Sequence, residues 1–363
     1  LIYNLGIILG GVVGAVVGDP SPESFLWGGL AGAAIGSFGV QWFGAIGSGL
    51  RFVPSVPLRH PDLSEYFRLA IPLMIGQSVV ALDEYWPKLF GQLASQEAIG
   101  QLVGARQLNM VPVGLIATAA GVAAYPFLAR LVAQGRYRDL RATVLRSVTS
   151  GLTVAGLAVG LVVSLAYPIV RVLYQWGRFQ IADTVIVGEL LIFYALSIPF
   201  WVAHQVYGRA FYAMRRLWTP VIVGTVVTAV TVPLLFWFGR EAGAGGVALG
   251  SSIGIALYAV GIGTVWHRNG SSAELGALFG AISRIAVTAG VSGFTTLVVA
   301  GALGTRLGSI ASLAISGLLG TLIYIGVGRL LALPGLEETI DRVRSSIRSF
   351  IGRRDMDDTT ETR

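Results

Sequence analysis

Four polar residues, Gln77, Asp83, Glu84 and Lys88, fall inside one apolar stretch, with Pro87 just before the lysine. An ionisable side chain in such a setting is costly unless it is paired or hydrated, and so marks a functional candidate. Glu84 and Lys88 are four apart and share a helix face, so they can pair, while Asp83 is rotated about 100° from Glu84. Pro87 removes a backbone donor and predicts a kink. Two placements fit: the wall of a wet cavity, or the outer interface, since only roughly fourteen apolar residues precede Asp83. The next stretch carries Arg106, Gln107 and Asn109, then Pro112. Arg106 and Asn109 are three apart and share a face. A guanidinium is always charged and forms bidentate bonds to phosphate. An inward Arg106 therefore suits either a diphosphate ligand or a structural partner for Asp83 or Glu84.

Glu189 lies one turn into a later span, with His204 and Gln205 near its other end; interhelical hydrogen bonds are the expected role for all three. Arg209, Arg215 and Arg216 read as anchors at the inner interface, or as a gathering point for an anionic headgroup. The chain has no cysteine, and its three histidines (His60, His204, His267) share no ligand spacing. No paired carboxylates beside a nucleophile and no phosphate-binding glycine loop occur. The expectation is a non-enzyme with no catalytic residue, no metal site and no cofactor.

Hydrophobic residues make up 54% of the chain and charged residues 12%, with a mean hydropathy of +0.72. A water-facing surface cannot be covered with so few charges, so most of this surface must face lipid. Spanning the hydrocarbon takes about 20 apolar residues. Ten segments qualify, at 1–18, 25–46, 69–93, 98–126, 146–174, 184–208, 217–239, 244–266, 280–303 and 308–333. The expected fold is all-α, a polytopic transmembrane helix bundle. Every basic residue but Lys88 is arginine, and the arginines crowd alternate loops. By the positive-inside rule those loops and the C-terminus are cytoplasmic. Topology accounts for the net charge of +7, and no nucleic-acid partner is expected. The chain opens on Leu1 with no charged segment before its apolar run, and so reads as a piece of a longer protein. Leu336, Ile340, Val343, Ile347 and Phe350 recur at helical steps among arginines, predicting an amphipathic tail on anionic lipid. A faint repeat relates residues 28–36 to residues 245–254, both rich in glycine. The residues alone stop at a transporter, channel or membrane scaffold with a cationic inner cavity.

Several stretches resemble the MurJ (MviN) lipid II flippases of the MOP superfamily. Tyr3 to Gly10 is similar to that family's N-x-x-I-I-x-G helix, and Ala70-Ile71-Pro72 with Gly76-Gln77-Ser78 to its A-x-P helix. Gln107-Leu108 through Pro112-Val113-Gly114, then Pro126, resembles its R-L-x-x-x-P-x-G helix. Pro168-Ile169-Val170-Arg171 through Gly177-Arg178-Phe179, with Asp183-Thr184, is the fullest match, followed by Phe211-Tyr212-Ala213 with Thr219-Pro220 and by Gly245 to Leu249. Two positions depart from the pattern: Gln107 stands where the family has arginine, with Arg106 one residue earlier, and Asp83 is followed by Glu84 and Lys88.

The resemblance implies a fourteen-span, two-lobed fold entered at its fifth span. Residues 1–48 would end the N-terminal lobe, 49–68 would form a cytoplasmic linker and 69–268 the six-helix C-terminal lobe. Two further helices would occupy 269–333, with the tail at 334–363. It also implies alternating access in the bacterial cytoplasmic (inner) membrane, carrying a lipid-linked diphosphate-sugar outward. Arg106, Asn109, Lys88, Gln77 and Gln107 would line the cavity, and Asp83 and Glu84 would serve a coupling cation. The alternatives left open are export of another lipid-linked oligosaccharide, cation or drug antiport, and a non-transporting scaffold.

Overall fold

In the computed structural model of the chain the described residues are 2–17, 21–49, 61–92, 94–122, 125–177, 179–268, 270–304, 308–342 and 344–345. Within these, the side chains of 61–62, 69, 73, 77–84, 87, 96 and 118–122 lie outside the description. The chain divides into two compact units, Leu1–Ser64 and Glu65–Arg363. Among the described residues every regular element is a helix. That follows from the composition, because in lipid a chain must satisfy its backbone groups within each segment.

The first unit is a helical hairpin. Helix α1 (Ile2–Val17) packs along α2 (Pro22–Ala33), which continues through a π-helical turn (Ala34–Gly39) into α3 (Val40–Gly47). Pro22 supplies the first turn of α2, where its missing N–H is harmless. Glycines set the contact: a Cβ on Gly10 would fall on the Ser24 carbonyl, and one on Gly28 would fall on that of Gly6. Small residues on both helices thus let the two backbones touch.

The second unit is built around α7 (Tyr137–Tyr174), a 38-residue rod. Before it come α4 (Pro61–Gly91), α5 (Gln96–Val122) and the short α6 (Tyr125–Ala133). After it come α8 (Ile181–Ala195), α9 (Ile198–Ala213), α10 (Trp218–His267), α11 (Ser272–Gly304) and α12 (Ser309–Leu330). Helix α7 packs against α5, α8, α9, α11 and α12, which makes it the spine of the unit. Its buried face includes Val144, Val148, Leu152, Ala155 and Gly156, recurring at steps of three and four.

Among the described residues each of the ten expected segments falls on helix, with differences that have local causes. Six helices among the described residues are long and apolar enough to cross a membrane. The 16-residue α1 is short for a crossing. Helices α4 and α5 have the length, but Asp83, Glu84, Lys88 and Arg106 lower their hydropathy. The segment 184–208 is broken at Leu196–Ser197, so that α8 and α9 cross in tandem. Segments 217–239 and 244–266 run on as one 50-residue element with a break at Gly243 (φ 57°, ψ −141°). Only glycine takes that conformation without strain, and each limb, about 24 residues, can cross alone.

Residues 50–60, most of the expected linker, lie outside the described residues, as do Val343 and 346–363 of the tail. The first turns of the tail pack on protein: Leu336 is buried and Ile340 packs against the same core. Thr153 Oγ1 donates to the Pro334 carbonyl at 2.8 Å, and Tyr324 Oη donates to the Thr153 carbonyl at 2.6 Å. Outside the bundle, the Arg329 guanidinium, 2.8 Å away, holds the exposed Glu337 carboxyl below the usual carboxylate range. Tyr324 is 1% exposed, so a Tyr324→Phe protein loses a bond that water cannot replace. The expected cost is about 1–2 kcal/mol, read as a lower unfolding temperature in detergent. A Tyr167→Phe protein, changed at an exposed tyrosine, should unfold as the parent does.

Candidate functional site

Helix α5 turns Arg106 and Asn109 to the same side, as their spacing requires. Both border a crevice completed by Met110 of α5, Tyr194 of α8, Ser197 at the α8–α9 break, Trp201 of α9 and Ser251 and Ser252 of α10. Asn109 is 0% exposed. Its Nδ2 donates to Ser197 Oγ at 3.1 Å, and Ser197 Oγ donates to the Tyr194 carbonyl at 2.5 Å. That chain ties α5 to the break between α8 and α9, where the carbonyl of Tyr194 would otherwise lack part of its helical bonding. Ser252 Oγ donates to the Phe193 carbonyl at 2.8 Å. Two buried polar atoms here, Asn109 Oδ1 and Ser251 Oγ, have no hydrogen-bond partner among the described residues. The gap between these groups is about 10 Å³, at the lower limit for one water molecule. A diphosphate would enter only if α5 separated from α8 and α10.

The other expected site residues are spread out. Gln107 is exposed, about 100° around α5 from the half-buried Arg106. Lys88 is half-buried near the end of α4, with Nζ 5.1 Å from the centroid of the Tyr85 ring. Gln77, Asp83 and Glu84 lie on α4, but their side chains are outside the described residues. Glu189 is exposed on α8, and among the described residues the interhelical bond expected of it is not seen. The His204 ring packs against Trp201 (5.7 Å) and Tyr258 (4.5 Å), and its Nδ1 has no hydrogen-bond partner among the described residues. Packing rather than a hydrogen bond at that nitrogen holds it. Asn109 and Ser197 make one of the buried interhelical bonds instead. Ser197 carries a readable signal, since Ser-Ile-Pro is a helix-start pattern.

A second polar cluster lies at the other end of α9. Arg141 of α7 makes a two-point pair with Glu274 of α11, Nη2 to Oε2 at 2.7 Å and Nε to Oε1 at 3.2 Å. Its guanidinium lies 5.7 Å from the Trp266 ring centroid. His267 Nε2 shares a 3.0 Å hydrogen bond with Tyr207 Oη, and His267 Nδ1 is 3.7 Å from Glu274 Oε2. This cluster joins α7, α9, α10 and α11. The sequence does not mark this cluster, because Arg141 reads as one loop arginine among many.

These features define a polytopic helical membrane protein whose polar interior is a cation beside buried amide and hydroxyl groups. The family model "Lipid II flippase MurJ" matches residues 1–321. A probable lipid II flippase MurJ of Rhizobium meliloti is 27% identical over 222 residues, covering 61% of this chain and 41% of the relative. One of Thermotoga maritima is 24% identical over 342 residues, covering 93% of this chain and 65% of the relative. A solved lipid II flippase MurJ in an inward closed conformation superposes with a TM-score of 0.71 at 20% identity, over 91% of this chain and 65% of that one. That likeness concerns the fold. The chain belongs to the MurJ family. It spans under half the length of the Rhizobium relatives it matches, 41% in one and 45% in another.

Proposed function

We propose that the protein takes part in flipping lipid II, a polyprenyl-diphosphate-linked peptidoglycan precursor, from the inner to the outer leaflet of the bacterial cytoplasmic membrane. The observation that carries this reading is Arg106 beside the buried Asn109 amide, in a crevice between spans of a chain that the MurJ family model covers. A guanidinium suits a diphosphate because its planar fork meets two oxygens at once. Asn109 and Ser197, now bonded to each other, would be released as donors to the sugar or phosphate when the helices part. Lys88 and Gln77 are proposed as further contacts, and Gln107 as one met on the way in. Asp83 and Glu84 are proposed to hold a coupling cation. The membrane field favours the movement by about 2.3 kcal/mol per negative charge per 100 mV. The C-terminus is proposed to lie in the cytoplasm, on the side of the arginine-rich loops, with the tail beyond Ile340 resting on anionic lipid.

The test is depletion of the protein followed by rescue with variants, scoring lipid II reached at the outer face by an impermeant probe. Arg106→Ala is expected to lower exposure about tenfold or more, the loss of one charge-assisted contact, while Arg106→Lys retains part of it. Rescue by Arg106→Ala at the parental level removes the proposal. Unchanged outer-face lipid II on depletion favours a scaffold, and altered drug sensitivity with intact exposure favours an antiporter.

A further inference from the structure

The motif richest in family likeness carries, at its fourth residue, a cation that the flipping reading leaves unused. Arg171 lies near the end of α7 and is exposed. Among the described residues it has no carboxylate partner. From Arg141 to Arg171 the helix rises by about 45 Å, and the bilayer including headgroups is about 40–45 Å thick. Arg171 therefore stands at headgroup depth on the side opposite Arg141. Two surface grooves, of about 350 and 700 Å³, meet there and share Arg171, Gln175 and Ser309. One runs down an apolar wall that includes Tyr167 and Val185, and the other passes Ile310 and Ala314 of α12. Trp176, 73% exposed, stands over the second groove with its indole N–H donating to the Val172 carbonyl at 3.1 Å. Indoles concentrate at this depth of a membrane.

We propose that this face binds one diacyl anionic phospholipid, such as phosphatidylglycerol, with its phosphate on Arg171 and one acyl chain along each groove. The charge is complementary, and a guanidinium pairs with phosphate in two-point geometry. Gln175 and Ser309 supply uncharged donors beside it. A free phosphate would meet the same arginine but would leave both apolar grooves exposed, so the lipid is the occupant. The site is separate from the Arg106 crevice, and its occupancy does not depend on flipping activity.

The experiment is native mass spectrometry of the whole protein after equilibration in micelles with equal phosphatidylglycerol and phosphatidylcholine. The parent is expected to retain one phosphatidylglycerol in preference to phosphatidylcholine. Arg171→Gln should weaken that retention about tenfold, and Arg171→Lys should restore part of it. Arg240→Gln, which removes another exposed arginine, should leave it unchanged, and inorganic phosphate at ten times the lipid concentration should not displace the lipid. Equal retention of the two lipids overturns the proposal. So does undiminished retention by Arg171→Gln in protein of parental unfolding temperature, and so does displacement by inorganic phosphate, which would mark a plain anion site.

Discussion

A Gly246→Leu protein is expected to unfold with a loss of about 3 kcal/mol, seen as a fall in the midpoint of thermal unfolding in detergent. Gly243 reverses the chain between the limbs of α10. Three residues later, Gly246 faces the first limb so closely that a Cβ would fall on the Phe238 carbonyl oxygen, 2.7 Å from its carbon and 3.0 Å from Ala242 Cβ. The obstacle is backbone inside a helix, which cannot swing aside as a flexible side chain can. A leucine would force the limbs apart, and Leu235, buried between them, would lose contacts with them. Gly326→Ala on α12 is the control, because a Cβ there meets nothing within 4 Å. That change should be neutral or gain up to about 1 kcal/mol, the difference in helix preference. Equal midpoints for the two variants would show that the limbs are not in contact at Gly246.

Removal of either partner of the Arg141–Glu274 pair is expected to destabilise the protein by about 2 kcal/mol, with a coupling of similar size in a double-mutant cycle. The side chains are 23% and 25% exposed, which sets the figure between the 3–5 kcal/mol of a fully buried pair and the ~1 kcal/mol of an exposed one. The two-point geometry and the Trp266 face beneath the guanidinium lift it above the exposed value. Most of the effect should persist at high salt, since partly buried pairs are weakly screened. The measurement is unfolding of Arg141→Ala, Glu274→Ala and the double variant at two ionic strengths. Additive losses would mean that the pair contributes no coupling. The exposed Arg136–Asp139 pair should yield almost nothing in the same assay.

The helices were readable because length and hydropathy are written locally in the chain. Among the described residues all ten apolar stretches lie on helix, and six helices are long and apolar enough to cross a membrane. Which face of a helix points inward was less readable. A helix bathed in lipid is apolar on both sides, so periodicity says little about burial. The spacing correctly put Arg106 and Asn109 on one side, yet it did not show that Gln107 would be exposed and Asn109 closed off completely. Contacts across the chain were the least visible. Ser197 meets Asn109 from 88 positions away, and Glu274 meets Arg141 from 133; neither distance leaves a mark on local sequence. Each run of the faint glycine repeat holds a close-packing position. Gly28 and Gly246 each let a helix lie against the one before it, so the two runs do the same mechanical work in their separate units.

Asn109 Oδ1, without a partner among the described residues, has a consequence for how the crevice responds to water. At 0% exposure, an oxygen with no partner among the described residues carries a penalty of about 1–3 kcal/mol. Only the shut arrangement bears that penalty, because a hydrated amide satisfies both its oxygen and its nitrogen. In the proposed flipping cycle the closed form would thereby lie closer in energy to a wetted one, and the cargo would need to supply correspondingly less differential affinity to shift the balance. Poor solvation of a single atom would then act as a spring already partly compressed.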